Sequence, residues 1–199
     1  MPETAPTPSP ESPVAVEYKR VFLALWPDEQ VRQLLHAYQK KLKHEPAMES
    51  ALRSARAVIP ENLHMTLNFI GSISLEVLQA LENALDSVQG KAFDMEVNTV
   101  SYFPRPKVLW LGVAQIPLAL RVLEQQITAG VQQSVEGYEC QSFKPHITLF
   151  RKAKSPREFD DRPAIHWPVN SFALVESKTY PEGVKYNVLK QWPLSPPSL

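Results

Sequence analysis

Polar and apolar residues alternate in two short runs of this chain, and the alternation predicts two strands of matching design. The first run is NLHMTLNFIG, which carries His64 and Thr66, and the second is FKPHITLFR, which carries His146 and Thr148. Residues two apart in a strand point to the same face, so each strand presents a histidine beside a threonine. The apolar residues between them face a core.

A strand and an amphipathic helix precede each of these His-Thr strands. Residues 20–26 predict a buried strand, and residues 28–43 predict a helix that Asp28 caps. Residues 107–113 and a helix that begins near Pro117 repeat this order. Identity between the halves is low, so the repeat is one of pattern. A duplication with pseudo-twofold symmetry would bring the two His-Thr strands together across a shared groove.

The remaining segments are predominantly sheet in pattern. Alternation predicts strands at residues 93–97, 171–175 and 185–189, and Ser74 is positioned to cap a second amphipathic helix. The proline-rich residues 103–106 predict a loop. Long connections and hairpin-like late strands favour an α+β architecture, with antiparallel sheets and helices packed outside them.

The first seventeen residues contain five prolines and three glutamates but no basic residue. This composition predicts a disordered tail over residues 1–17, followed by a single domain over residues 18–199. The segment has neither the basic start and apolar core of a secretory signal nor the arginines of a transit peptide. No apolar run is long enough to span a bilayer. We therefore expect no membrane contact.

Overall charge and cysteine content narrow the class of protein further. The chain has 199 residues and a formal net charge of +0, which argues against binding to long duplex nucleic acid through the overall field. Cys140 is the single cysteine, so an intramolecular disulfide is excluded and a cytoplasmic location is predicted. With no His or Cys at metal-ligand spacing, Cys140 is interpreted as a small buried residue.

The paired histidines suggest phosphoester chemistry. Histidine titrates near neutral pH, and two imidazoles on opposite sides of a phosphorus can supply the acid and the base for cleavage without a metal. Threonine hydroxyls on the same face can donate to the non-bridging oxygens. A lone histidine in a strand is more often structural, but the chain has five histidines and two of them recur in matching motifs. His36 and His44 are interpreted as solvated, and a zinc site that adds His166 lacks supporting ligand spacing.

The two H-x-T-L motifs resemble those of the two-histidine phosphoesterase superfamily. The flanking runs RVFLAL, KVLWLG and YNVLKQW extend the likeness to its LigT branch, the bacterial RNA 2′,3′-cyclic phosphodiesterases historically called 2′-5′ RNA ligases. The resemblance covers roughly residues 19–194. It implies a bilobal LigT-like fold, with two pseudo-symmetric lobes of antiparallel sheet, outer helices and a central cleft.

The resemblance also implies roles for individual residues. The reaction would be hydrolysis of a terminal 2′,3′-cyclic phosphate to a 2′-phosphate, with no metal and no cofactor. His64 would protonate the 3′-oxygen and His146 would activate water. Thr66 and Thr148 would hold the phosphate, and Arg151 would add a cationic contact. An ideal strand turns Arg151 away from the face of His146, so a bulge or a strand end after Leu149 is needed.

Substrate contacts and rival functions complete the predictions. Phe22 or Trp26 could stack on a base, although a core position suits either ring equally well. The expected partners are RNA ends or small cyclic nucleotides, and the chain is expected to be a monomer. One rival function is ligation, the same chemistry run in reverse to form a 2′-5′ linkage. The other is a module that binds RNA ends through local basic residues without turnover.

Overall fold

The computed structural model of the protein describes residues 16–156 and 161–196. The disordered tail predicted for residues 1–17 therefore falls, for its first fifteen residues, outside the described part. The single domain predicted for residues 18–199 stays a prediction. Within the described residues, no helix combines the length and the apolar character needed to cross a bilayer.

Fourteen helices and strands build the fold. The helices are α1 (Glu29–His44), α2 (Glu49–Leu52), α3 (Leu75–Leu85) and α4 (Leu118–Ser134). The strands are β1 (Tyr18–Leu25), β2 (Arg56–Ala57), β3 (Met65–Ser74), β4 (Phe93–Val97), β5 (Thr99–Phe103), β6 (Val108–Gly112), β7 (His146–Arg151), β8 (Ile165–Val169), β9 (Ser171–Tyr180) and β10 (Gly183–Pro193). Short 3₁₀ turns at Pro46–Met48 and Pro60–Asn62 join the connections.

The two His-Thr strands are neighbours at the centre of one antiparallel sheet. Its strand order is β10-β9-β1-β3-β7-β6-β5, with β2 paired to β7. Strands β3 and β7 meet at one residue pair, Met65 with Ile147, and each of these side chains is 0% exposed. A second sheet consists of β4 and β8. The predicted α+β fold is confirmed, and the strands of both lobes form one continuous sheet.

The helices cross between the halves of the repeat. Helix α1, from the first half, packs against β8, whereas α4, from the second half, packs against α3 and β3. Their apolar faces bury leucines such as Leu35 and Leu42 of α1 and Leu123 of α4 in a core that also holds Met65 and Ile147. Each half therefore supports the other, which explains why neither has a separate core.

Local sequence signals located most elements. The predicted caps are confirmed, because the Asp28 side chain accepts from the backbone N–H of Val31 and the Ser74 hydroxyl accepts from that of Val77. The predicted loop is wrong at Phe103, which ends β5. Cys140 is exposed rather than buried, which corrects the interpretation from sequence.

Candidate active site

His64, Thr66, His146 and Thr148 surround the central Met65–Ile147 pair. In antiparallel pairing, residues flanking a matched pair also lie opposite each other across the two strands. His64 therefore lies across from Thr148, and Thr66 lies across from His146, on the face opposite the buried Met65 and Ile147. The pseudo-twofold axis passes through this pair. The shared groove predicted from the duplication is present, and its floor is made of two histidines and two threonines.

The same irregularity interrupts both motif strands. In β3 the pairing with β1 passes from Thr66 directly to Asn68, so Leu67 is an additional, bulged residue. In β7 the pairing with β6 passes from Thr148 directly to Phe150, so Leu149 is bulged in the same way. The leucine of each H-x-T-L motif is thus the residue that shifts the register of its strand.

The bulge at Leu149 brings Arg151 to the cleft. Leu149 and Phe150 are both buried although they are adjacent, at 0% and 2% exposed, because the bulge turns both towards the core. The alternation resumes one position late, and Arg151 lines the same cavity as His146 and Thr148. The obstacle that an ideal strand poses to Arg151 is therefore removed by a bulge at the place where the sequence required one.

Buried polar contacts from α1 hold the bulge in β7. The Gln39 side chain amide donates to the carbonyl oxygens of Leu149 at 2.8 Å and Val58 at 2.9 Å. The backbone N–H of Val58 also donates to the Leu149 carbonyl at 2.8 Å. In turn, the Gln39 side chain oxygen is 3.1 Å from His36 Nδ1, so His36 is half-buried rather than solvated as predicted.

A contact from α4 holds β3 in a comparable way. The side chain amide of Asn68, the residue after the bulged Leu67, donates to the Thr128 hydroxyl at 2.7 Å. Thr128 donates onward to the Glu124 carboxylate at 2.9 Å. Asn68 also contacts the Tyr138 hydroxyl at 3.1 Å. A helix of each half thus fixes the motif strand of the other half.

Backbone carbonyls determine how both imidazoles are protonated. His64 Nδ1 lies 2.7 Å from the carbonyl oxygen of Asn62, and His146 Nδ1 lies 2.7 Å from that of Lys144. A carbonyl can only accept, so Nδ1 carries the hydrogen in both rings and Nε2 is the reactive nitrogen. The Nε2 atom of His64 is 3.1 Å from the Thr66 hydroxyl.

Aromatic rings desolvate His64. Phe22, Trp26 and Tyr186 have ring centroids 4.9, 5.5 and 5.2 Å from its own. Burial lowers the pKa of His64 to about 4, and the charges of Arg151 and His146 lower it further, against a rise from the Asn62 carbonyl. His64 is therefore neutral in the free protein near pH 7.

His146 has a similar but more open setting. Phe103 and Trp110 have centroids 5.2 and 6.0 Å from its ring. Trp110 lies against Gly112, where an added Cβ would be 2.6 Å from the indole, so the glycine makes room for this wall. Burial also lowers the pKa of His146, with a further lowering from the charge of Arg151.

The histidines open into a cavity of about 260 Å³ that two arginines line. Arg151 is one, and the other is Arg20 of β1, which sequence reasoning missed. Its guanidinium lies 5.1 Å from the centroid of the Phe69 ring. Among the described residues that line the cavity there is no carboxylate. A small cavity with two cations, two imidazoles and two hydroxyls matches the chemistry of a phosphate group.

Phe22 lines the cavity at its wall. Its side chain is 3% exposed, and its ring packs against His64 and Tyr186. Phe69 is 42% exposed and so has more free ring surface for a nucleobase. Base stacking by Phe22 stays a prediction.

The third histidine of the conceivable zinc site lies in other surroundings. His166 Nδ1 is 3.0 Å from a Glu96 carboxylate oxygen, and its Nε2 is 3.3 Å from an oxygen of Asp94, on the exposed surface of the second sheet. Across residues 16–156 and 161–196, no group of three or more His, Cys, Asp or Glu side chains is arranged to hold a metal ion.

The fold and this cleft match a known class of protein. The family model described as LigT like Phosphoesterase matches residues 25–110. The RNA 2′,3′-cyclic phosphodiesterase of Thermus thermophilus is 34% identical over 189 residues, covering 88% of this chain and 90% of that protein. The chain therefore belongs to the LigT-like phosphoesterase family. The resemblance in its motifs and the prediction of a phosphoesterase enzyme are confirmed.

Further relatives agree with this assignment. The RNA 2′,3′-cyclic phosphodiesterase of Escherichia coli K12 is 29% identical and covers 90% of this chain and 98% of that protein. The crystal structure of Escherichia coli LigT in its apo form matches with a TM-score of 0.80 and 28% identity, over 90% of this chain and 99% of that one. Escherichia coli LigT has also been solved in complex with 3′-AMP, with a TM-score of 0.78. The predicted LigT-like fold is confirmed.

Proposed function

We propose that this protein hydrolyses 2′,3′-cyclic phosphate ends of RNA to 2′-phosphates, with His64 and His146 as acid and base. The observation that carries the proposal is the arrangement around Met65 and Ile147, where each histidine faces the threonine of the other motif. The names of the curated relatives support the substrate class. Binding of 3′-AMP by Escherichia coli LigT supports a site for a nucleotide.

In this mechanism His146 Nε2 takes a proton from a water molecule, whose oxygen attacks the phosphorus. The bond from phosphorus to the 3′-oxygen breaks, and His64 Nε2 donates its proton to that oxygen. The product is a 2′-phosphate and a free 3′-hydroxyl, and proton exchange with solvent restores both rings. The hydrogen on each Nδ1 keeps the reactive Nε2 directed to the cleft.

The threonines and arginines stabilise the phosphate during this step. Thr66 and Thr148 donate hydrogen bonds to non-bridging oxygens, and Arg151 pairs with their negative charge. Because the charge of Arg151 lowers the pKa of both histidines, a bound phosphate anion that neutralises it raises them again. Substrate binding thus favours the protonated His64 that the mechanism needs.

The experiment that tests this function uses an adenosine trinucleotide that ends in a 2′,3′-cyclic phosphate. Phosphorus NMR should show conversion to the 2′-phosphate, with the same rate in EDTA. Formation of a 3′-phosphate, or loss of activity in EDTA with recovery on added zinc, would contradict it. Joining of two RNA half-molecules would favour ligation, and binding without turnover would favour the RNA-end-binding module. The monomeric state and the cytoplasmic location stay predictions.

A further inference from the structure

A second cavity, of about 550 Å³, opens beside the catalytic cleft. The two cavities share His64, Thr148, Arg151 and Tyr186 as lining residues. They are therefore parts of one groove, which continues past the reacting phosphate towards β2 and the turn between β9 and β10. The proposed hydrolysis engages the first cavity and leaves this continuation without an occupant.

The continuation is cationic with an apolar floor. Arg56, Lys152 and Lys185 line it together with Ile59 and Val184, whose side chains are 49% and 40% exposed. The carboxylate of Glu182 also lines it and lies 3.7 Å from the Lys185 ammonium. Within the described part of the chain, neither Arg56 nor Lys152 has an acidic partner. Cations beside exposed apolar side chains suit a polyanion that also carries flat bases.

Beyond Lys152 a third cavity extends the same path. Its volume is about 580 Å³, and Lys152 lines both it and the second cavity. Lys107 and Lys154 add two further cations there. On the other side of the catalytic cleft the cavity beside His146 differs, since Lys144 is the single lysine or arginine among the described residues that line it. Charge therefore favours the path through Lys152.

The backbone at this junction is unusual. Lys107 has a φ of 66° and Lys152 a φ of 57°, both in the left-handed region that residues with a side chain seldom occupy. The N–H of Ala153 donates to the Lys107 carbonyl at 3.1 Å, which ties the two turns together. Conformations of this kind cluster at ligand-binding sites, where the surrounding structure maintains them.

We propose that this basic groove, defined by Arg56, Lys107, Lys152 and Lys154, binds the RNA strand on the 5′ side of the terminal nucleotide. The inference rests on the proposed function. A 2′,3′-cyclic end has a single strand leading away from it, through its 5′-phosphate, so one continuous path is sufficient. The preferred substrate is then an oligonucleotide end, and a cyclic mononucleotide leaves the groove empty.

The test compares kcat/KM for 2′,3′-cyclic AMP with that for an adenosine trinucleotide ending in a 2′,3′-cyclic phosphate. Wild type should prefer the trinucleotide by about tenfold or more, because several phosphates contribute. Lys152→Asn and Lys107→Asn are suitable variants, since asparagine tolerates left-handed backbone. Each should lower the preference about fivefold. The salt dependence of log kcat/KM for the trinucleotide should weaken by about 0.7 per lost contact.

Arg121→Gln is the matched control, because Arg121 is an exposed arginine on α4. It should keep the wild-type preference. Equal kcat/KM for the two substrates in wild type, or an equal loss of preference in Arg121→Gln, would overturn the groove and leave the proposed function intact. Failure of wild type to hydrolyse either substrate would instead overturn the proposed function. Binding of the 5′-fluorescein-labelled trinucleotide, measured by anisotropy, then decides: weakening by Lys152→Asn alone supports the groove, and any other result overturns it.

Discussion

Arg151 occupies in β7 the position that Phe69 occupies in β3, two residues beyond the bulged leucine of each strand. The first lobe thus has a ring where the second has a cation, but Arg20 of β1 lies over that ring with its guanidinium 5.1 Å from the centroid. Both arginines line the cleft. Each lobe therefore contributes one cation, by a different route, to the same cavity.

Arg151→Gln should raise KM and shift the pH dependence of kcat/KM. The guanidinium lowers the pKa of His64 and of His146, so its removal should move both pKa values, and the alkaline limb of the profile, to higher pH. Arg151→Lys is the control, because it retains the charge while losing the bidentate contact. Steady-state kinetics from pH 4 to 9 measure this. A raised KM with an unshifted profile would show that Arg151 does not set the histidine pKa values.

Arg20→Gln should raise KM about fivefold with little change in kcat, since an exposed cation contributes modestly to binding. Arg20→Lys should recover only part of the loss, because the planar guanidinium stacks on Phe69 and an ammonium does not. Initial rates with 2′,3′-cyclic AMP distinguish these outcomes. A fall in kcat with KM unchanged would place Arg20 in a different role.

The pH dependence of kcat/KM should be bell-shaped and should fall above pH 6.5. This parameter reports ionisations of the free enzyme, in which burial has lowered the pKa of His64 to about 4 and has also lowered that of His146. Above both pKa values the fraction with a protonated His64 decreases about tenfold per pH unit. The alkaline limb of kcat should lie at higher pH, because the bound anion favours the protonated ring. A level kcat/KM between pH 6.5 and 8 would contradict the requirement for an imidazolium.

Gln39→Leu should reduce both stability and substrate binding. The change removes the donor shared by the carbonyls of Val58 and Leu149, which should lower the free energy of unfolding by about 1–3 kcal/mol. Gln39 is a positioning residue, because the bulge at Leu149 directs Arg151, so KM should rise more than kcat falls. Gln33→Leu is the control on the exposed face of α1, and it should change neither urea unfolding nor KM. Wild-type KM in a destabilised Gln39→Leu variant would limit Gln39 to a structural role.

Particular residues show how far the sequence alone could lead. Alternation located the two motif strands because His64, Thr66, His146 and Thr148 are set by local period. The pairing of Met65 with Ile147 followed from the duplication. Arg20 was missed because its link to Phe69 depends on the register between β1 and β3, which a bulge shifts. Comparing the residues that follow each motif, Phe69 against Arg151, was the available signal.

The crossing of helices was beyond local patterns for a similar reason. Gln39 is a polar residue on an amphipathic helix, and nothing near it in the chain indicates that it is 3% exposed. Its burial arises from contacts with Val58 and Leu149, far away in sequence. The basic groove likewise depends on two turns, at Lys107 and Lys152, that meet only in the folded chain.

The central claim is that His64 and His146 act as acid and base on one phosphorus, and a substrate with a bridging 3′-sulfur tests it most directly. A thiolate leaves without protonation, so this substrate does not need the acid but still needs the base. With the ordinary 3′-oxygen substrate, His64→Ala and His146→Ala should each lose about 10²–10⁴-fold in kcat. With the 3′-sulfur substrate, thiol release should recover in His64→Ala and remain slow in His146→Ala. Recovery in His146→Ala instead, or in neither variant, would contradict the assignment.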